Sequence, residues 1–144
     1  MNNGHLTDLV KTSFVLNNVA AGTSNQNTAS VDMSGFDAVR FIAAIGALTS
    51  TQVTRLKVQG STDNSNFSDI SGAATDNMAD GNSNTLLIVD VPRSSYRYLR
   101  GVVVRGTANA VIDGVIAEQY RARSIPITQD ASVAVSVVKQ APAA

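Results

Sequence analysis

The chain has no cysteine and no tryptophan. Without thiols it can form no disulfide framework, thiolate zinc site or thiol nucleophile, and its redox compartment leaves no trace. His5 is the only histidine. It stands in a terminal segment with no carboxylate cluster beside it, so a Ser-His-Asp triad or a His-rich metal site would have to be built around it. It reads as an exposed polar residue. Glu118 is the only glutamate and lysine is sparse, whereas a helical protein uses both on its surface. Net charge is absent too. Eleven basic residues balance eleven acidic ones, so no overall field draws the chain to nucleic acid or to an anionic membrane. No apolar run approaches the roughly 18 residues of a membrane span. The N-terminus lacks the apolar core of a signal peptide. These absences point to a soluble, non-catalytic protein made in a cytosol, with no cofactor.

What is present favours strands. Val, Ile and Thr are abundant, and they suit a pleated, half-buried surface. Asn, Ser and Thr supply turns and polar sheet faces. The length of 144 residues suits one domain. Residues 86–120 organise the reading as three strands, at 86–91, 96–105 and 110–120. Pro92 to Ser95 stops the first, and residues 106–109 form a loop of hairpin length before the third. The expectation is an antiparallel meander that needs a second layer over its apolar face.

The remaining chain supplies that layer. Residues 12–20 and 28–33 read as strands, with Val31 and Met33 on one face. Residues 36–48 are apolar on both faces, which predicts a central or doubly covered strand. A helix is the rival there, because Ala is common and Val39, Ile42 and Ile45 are spaced by three. Residues 53–61 alternate well. Residues 61–84 read as a long irregular loop, functional or mobile in character. Helix is expected only within 1–11 and at 77–81. The fold class is all-β: a jelly-roll-like sandwich or barrel of about eight antiparallel strands with extended terminal arms. An immunoglobulin-like sandwich ranks second, because its Cys-Trp-Cys signature is missing. The expected division is an N-terminal arm (1–11), a sandwich (12–122) and an extended C-terminal arm (123–144). In that arm Pro126 interrupts pairing, while Val133, Val135, Val137 and Val138 are too apolar for a free surface. It reads as a strand for a neighbour's edge, or alternatively as a last strand of the home barrel.

Two clusters carry residue types that could do chemistry. Asp63, Asp69, Asp76 and Asp80 share one Asn- and Ser-rich region, and such oxygen ligands suit calcium. The EF-hand pattern fails: counted from Asp63, Ser68 stands at the glycine position and Ala74 at the glutamate position. Turn-capping carboxylates are the plainer reading. Arg93, Arg97, Arg100, Arg105, Arg121 and Arg123 give a local basic bias. With Tyr96 and Tyr98 they could stack single-stranded nucleic acid, but the balanced charge argues against it. Tyr and Arg are also enriched at protein interfaces. The candidate interface residues are therefore Arg93, Tyr96, Tyr98, Arg100, Arg121 and Arg123, with Ile125, Ile127, Val133, Val135 and Val137 of the arm. Pairing of these arginines with Asp90, Asp113 and Glu118 is the plain alternative.

Residues 58–70 (VQGSTDNSNFSDI) and 93–120 (RSSYRYLRGVVVRGTANAVIDGVIAEQY), followed by RSIPITQD, resemble the cement, or head-decoration, proteins of tailed bacteriophages. The resemblance implies a jelly-roll domain on the outside of an icosahedral capsid. It would bridge neighbouring copies of the major capsid protein and associate with other copies of itself, as a dimer or trimer. It implies no cofactor, nucleic acid or membrane. Discoidin-like carbohydrate-binding sandwiches share an S-D-x-S-x-F hairpin and a YRYLR strand. The alternative reading is therefore a carbohydrate-binding module or phage adhesin, disfavoured by having only seven aromatics to stack on sugars.

Overall fold

A computed structural model describes residues 4–141. The outermost parts of the two expected arms, 1–3 and 142–144, lie outside the described residues. One helical turn, α1 (Leu6–Leu9), precedes β1 (Lys11–Leu16), β2 (Val19–Gly22), β3 (Gln26–Asn27), β4 (Val31–Asp32) and β5 (Phe36–Leu48). Then come β6 (Val53–Ser61), β7 (Ser68–Ala74), β8 (Thr85–Val91), β9 (Tyr98–Gly106) and β10 (Ala110–Ala122). They form two antiparallel sheets. The first has the order β1-β10-β5-β8, with β2 also on β10; the second has the order β3-β9-β6-β7, with β4 also on β9. The protein is an all-β sandwich of jelly-roll type, as its composition and alternation predict.

The core lies between the sheets because inward positions alternate with outward ones. Phe41, Val39, Ala43 and Ile45 of β5 face Leu56 and Val58 of β6 and Leu99 and Val103 of β9, all essentially buried. With no tryptophan available, Phe41 is the largest fully buried side chain. Its ring seats against Gly101, where an added Cβ would come within 3.2 Å of it, so a larger residue there would have to push the Phe41 ring aside.

Three expectations are corrected. Residues 86–120 are not a meander. β8 joins β5 in the first sheet, β9 joins β6 in the second, and β10 returns to the first. Pro92 to Arg97 carries the chain between layers, so sequence neighbours are not sheet neighbours. Second, the 61–84 loop contains β7, whose Asp69 pairs with Gln59. Third, 77–81 is not helical. Met78 donates its N–H to the Thr54 carbonyl at 2.8 Å and plugs the core. The helical rival at 36–48 also falls: β5 sits between β10 and β8, and cross-strand bonds satisfy it on both sides.

Beyond β10 the described chain has no strand. Residues 127–132 instead run beside the outer edge of β1. Gln129 Oε1 accepts the Thr12 N–H at 2.8 Å, and Ser132 Oγ accepts the Phe14 N–H at 2.9 Å. Gln129 also donates to the carbonyls of Thr7 and Val10. Two outward donors of an edge strand are thereby capped by side chains, which blunts that edge.

Candidate interface surfaces

The structure splits the candidate residues into three places. The first is the end of the sandwich where β10 finishes. Arg93, Arg121 and Arg123 converge there around Pro92, Ser94 and Asp37. Arg121 donates to the Pro92 carbonyl at 2.7 Å, and Arg123 pairs with Asp37 at 2.9 Å. All three arginines are exposed, so the ion pair adds little stability while the guanidinium groups stay available to a partner.

The second place is the outer face of the β6–β9 sheet. Arg100 lies 4.1 Å over the Phe67 ring and donates to Gln59. Gln59 donates to Asp69, which also pairs with Lys57 at 3.0 Å. These bonds, from Gln59 first and Lys57 second, hold the Asp69 carboxyl below its usual range. Arg97 lies over the Tyr98 ring and grips Asp32 with two N–H groups. That grip lowers the Asp32 carboxyl. Tyr96 belongs elsewhere: it packs against the core with its ring over Gly60. Pairing of Arg93, Arg97, Arg100, Arg105, Arg121 or Arg123 with Asp90, Asp113 and Glu118 is not what forms. Glu118 binds Arg40, and Asp90 accepts the Tyr120 hydroxyl. Burial, then Asp90, raises the Tyr120 phenol.

The third place is the arm. Ile125 is exposed and Ile127 is partly covered, its N–H bonded to the Asp8 carbonyl. Val133 is partly covered, whereas Val135 and Val137 are 88% and 84% exposed. His5 is exposed at the start of α1.

Arg105 leaves the basic set altogether. It is 5% exposed and points between the sheets, where it donates to the carbonyls of Ser24, Ala20 and Ala110. Burial pushes its guanidinium down from its usual value. Parity could have found it, because Arg105 shares its face of β9 with Leu99 and Val103.

The acidic loop caps turns. Asp63 accepts from the N–H groups of Asn66 and Ser65 and from the Asn66 and Ser61 side chains, which holds its carboxyl far below the usual range. Asp80 accepts from Thr51, Gln52 and Ser50. Among the described residues no three His, Asp or Glu side chains gather as a metal site.

One surface was missed. The outer face of the first sheet carries an apolar row that crosses four strands: Phe14, Ile116, Ile42 and Ile88. Phe14 and Ile88 are 50% and 47% exposed, and Leu86, two residues from Ile88 on β8, is 60% exposed. The signal was present, since residues 36–48 are apolar on both faces.

No family model and no curated relative matches the sequence. Among solved structures, the chain is similar to the PBSX exported protein XepA, with a TM-score of 0.56 and 19% identity over 96% of this chain. It spans 46% of XepA, about half that protein's length. It also matches the SPBc2 prophage-derived protein YomS, with a TM-score of 0.44 and 12% identity over 77% of this chain and 94% of YomS. A third match is the CBM22-1–GH10 portion of xylanase 10B from Clostridium thermocellum, solved with xylohexaose. Its TM-score is 0.44, with 10% identity over 84% of this chain and 30% of that one. The likeness to XepA shows a shared sandwich fold.

Proposed function

We propose that the protein is a non-catalytic structural component of a tailed-phage virion, bound to the outside of the capsid, where it cements neighbouring major capsid protein subunits. The observation that carries this reading is the exposed apolar arm. Val135 and Val137 leave a folded, hydrogen-bonded sandwich with almost their whole side chains in water. Such a segment gains by adding to a neighbour's sheet edge, where its backbone is satisfied and its valines are buried. The exposed Arg93, Arg121 and Arg123 cluster at the end of β10 supplies a second, polar contact where the arm begins. Weak contacts to several subunits at once add to strong avidity. The resemblance of residues 58–70 and 93–120 to cement proteins supports the same reading. So does the fold shared with the PBSX exported protein XepA.

Co-sedimentation with empty, expanded capsid shells tests it. The full chain should pellet with shells and not associate with unassembled capsid subunits. The double variant Val135→Asp/Val137→Asp should stay folded and bind shells at least about tenfold more weakly, given the apolar surface removed. Equal binding to shells and free subunits would refute the clamping mechanism.

A carbohydrate-binding role is the second reading. Phe67, Arg100, Gln59 and Asp69 form an aromatic and polar strip on an open sheet face. Specific retention on a glycan array, lost in Phe67→Ala, would favour it over the capsid role.

A further inference from the structure

The last turn of β10 holds a strained backbone. Arg121, its penultimate residue, has φ +56°, in the left-handed region that favours glycine. Strain of this kind clusters at sites that bind or react. Arg121 and Arg123 together rim two adjoining open cavities. The first, of about 420 Å³, has an aliphatic wall of Leu6, Leu9, Val10, Ala122 and Ile125. The second, of about 430 Å³, is polar and adds Arg93, Ser94 and Asp37. Both volumes fall in the roughly 300–1,000 Å³ range of ligand pockets. Leu6 and Ile125 are 72% and 52% exposed, so the first cavity is apolar surface left in water. The chain's own arm does not fill it, because Val133 and Ser136 line a separate cavity beside Thr12 and Glu118.

Charge decides what fits there. Three arginines meet one carboxylate, Asp37. Arg123 takes that carboxylate, donating to it from Nε at 3.2 Å and from a terminal nitrogen at 2.9 Å. Arg93 and Arg121 form no ion pair among the described residues. Arg121 is steadied by its bond to the Pro92 carbonyl at 2.7 Å, and a guanidinium has further N–H groups to offer a carboxylate. We propose that this end of the sandwich docks an extended acidic peptide segment of a protein partner, whose apolar side chain enters the slot between Leu6 and Ile125 while its carboxylates pair with Arg93 and Arg121. Alternate side chains on one face of an extended chain stand about 7 Å apart, so one segment reaches both adjoining cavities. A nucleic acid fits less well, because single strands bind on aromatic platforms. This wall is aliphatic apart from Tyr120, whose hydroxyl is engaged by Asp90. The inference rests on the capsid reading, which already gives the end of β10 a polar contact, and it names the chemistry of the surface met there.

The test is fluorescence anisotropy of a labelled eight-residue peptide of alternating Glu and Leu, titrated with the full-length chain. Saturable binding with a Kd below about 1 mM is expected. Peptides with Gln in place of Glu, or Ala in place of Leu, should each bind at least about tenfold more weakly. Arg121→Asn puts in a residue that tolerates the left-handed backbone. It should stay folded by circular dichroism and lose the preference for the Glu peptide over the Gln peptide. Ile125→Ser should lose the preference for Leu over Ala. A merely structural Arg121 predicts neither preference to change. Absence of saturable binding at about 1 mM, the weak end of specific association, would overturn the inference, as would equal binding of the Gln peptide. So would displacement of the peptide by an equal concentration of inorganic phosphate or laurate, which would mark a plain anion or fatty-acid site. Shell binding by a chain that ignores the peptide would sink this inference and leave the capsid reading; peptide binding by a chain that ignores shells would do the reverse.

Discussion

Replacing Arg105 with Met should be the most damaging conservative-volume change in this protein. Arg105 sits at 5% exposure where β9, β10 and the β2–β3 connection meet. Its Nε donates to the Ser24 carbonyl at 2.8 Å, and one terminal nitrogen donates to Ala20 at 2.9 Å and Ala110 at 2.7 Å. No carboxylate pairs with it among the described residues. The guanidinium stays protonated despite burial, so these carbonyl dipoles are what stabilise its charge. Each charge-assisted bond contributes about 1.5–3 kcal/mol. Methionine keeps the stem's packing but leaves three carbonyls without this donor. The gain from no longer burying a charge offsets part of that loss. Leaving buried carbonyls without a donor costs about 1–3 kcal/mol each, so with that offset the net loss should be about 3 kcal/mol. That is a large share of the roughly 5–15 kcal/mol available to a domain. With a urea m-value of about 1–3 kcal/mol/M, the midpoint should fall by on the order of 2 M. Arg105→Lys should lose less, because an ammonium keeps the charge but spans fewer of the three carbonyls. Equilibrium urea unfolding followed by far-UV circular dichroism measures both. A loss below about 1 kcal/mol for Arg105→Met, within the range of an ordinary surface change, would refute the view that this residue ties the sheets together.

Two further outcomes follow from the loops and the arm. Asp63 has its carboxyl lowered in the fold, first by the N–H groups of Asn66 and Ser65. Its contribution is therefore present above the unfolded carboxylate pKa of about 4 and is lost as pH falls below that toward the depressed folded value. Melting temperature should drop between about pH 4 and pH 2, and Asp63→Asn should flatten that drop while costing stability at pH 7; an unchanged acid slope would contradict the capping role. The double change Gln129→Ala/Ser132→Ala should uncover the β1 edge. It should lower stability by about 1 kcal/mol for each lost backbone cap and raise aggregation in a light-scattering time course, and unchanged scattering would show that the arm does not protect that edge.

Elements that repeat with a short period were legible. Branched residues and alternation marked β5, β6, β8, β9 and β10 within a few residues, because side chains on a strand change face at every step. The two-faced apolar pattern of β5 correctly placed it inside a sheet. The same pattern did not show whether its outward face would be covered, and that face became the outward, partly covered Ile42 row. The Tyr and Arg candidates dispersed for a related reason. Tyr96 sits in the β8–β9 connection with its ring over Gly60 of β6, and Arg105 turns inward while Arg100 turns outward.

The sequence by itself determined an all-β chain, its turn-capping acids, its lack of thiol chemistry and its apolar C-terminal arm. These depend on residue type and on neighbours a few positions away. Only the tertiary structure decided which sheet each strand joins, since β8, β9 and β10 alternate between layers. It also brought Arg40 beside Glu118 and set Phe14, Ile116, Ile42 and Ile88 in one row. Cross-strand register joins residues far apart in the chain, and no local pattern encodes which of them will meet.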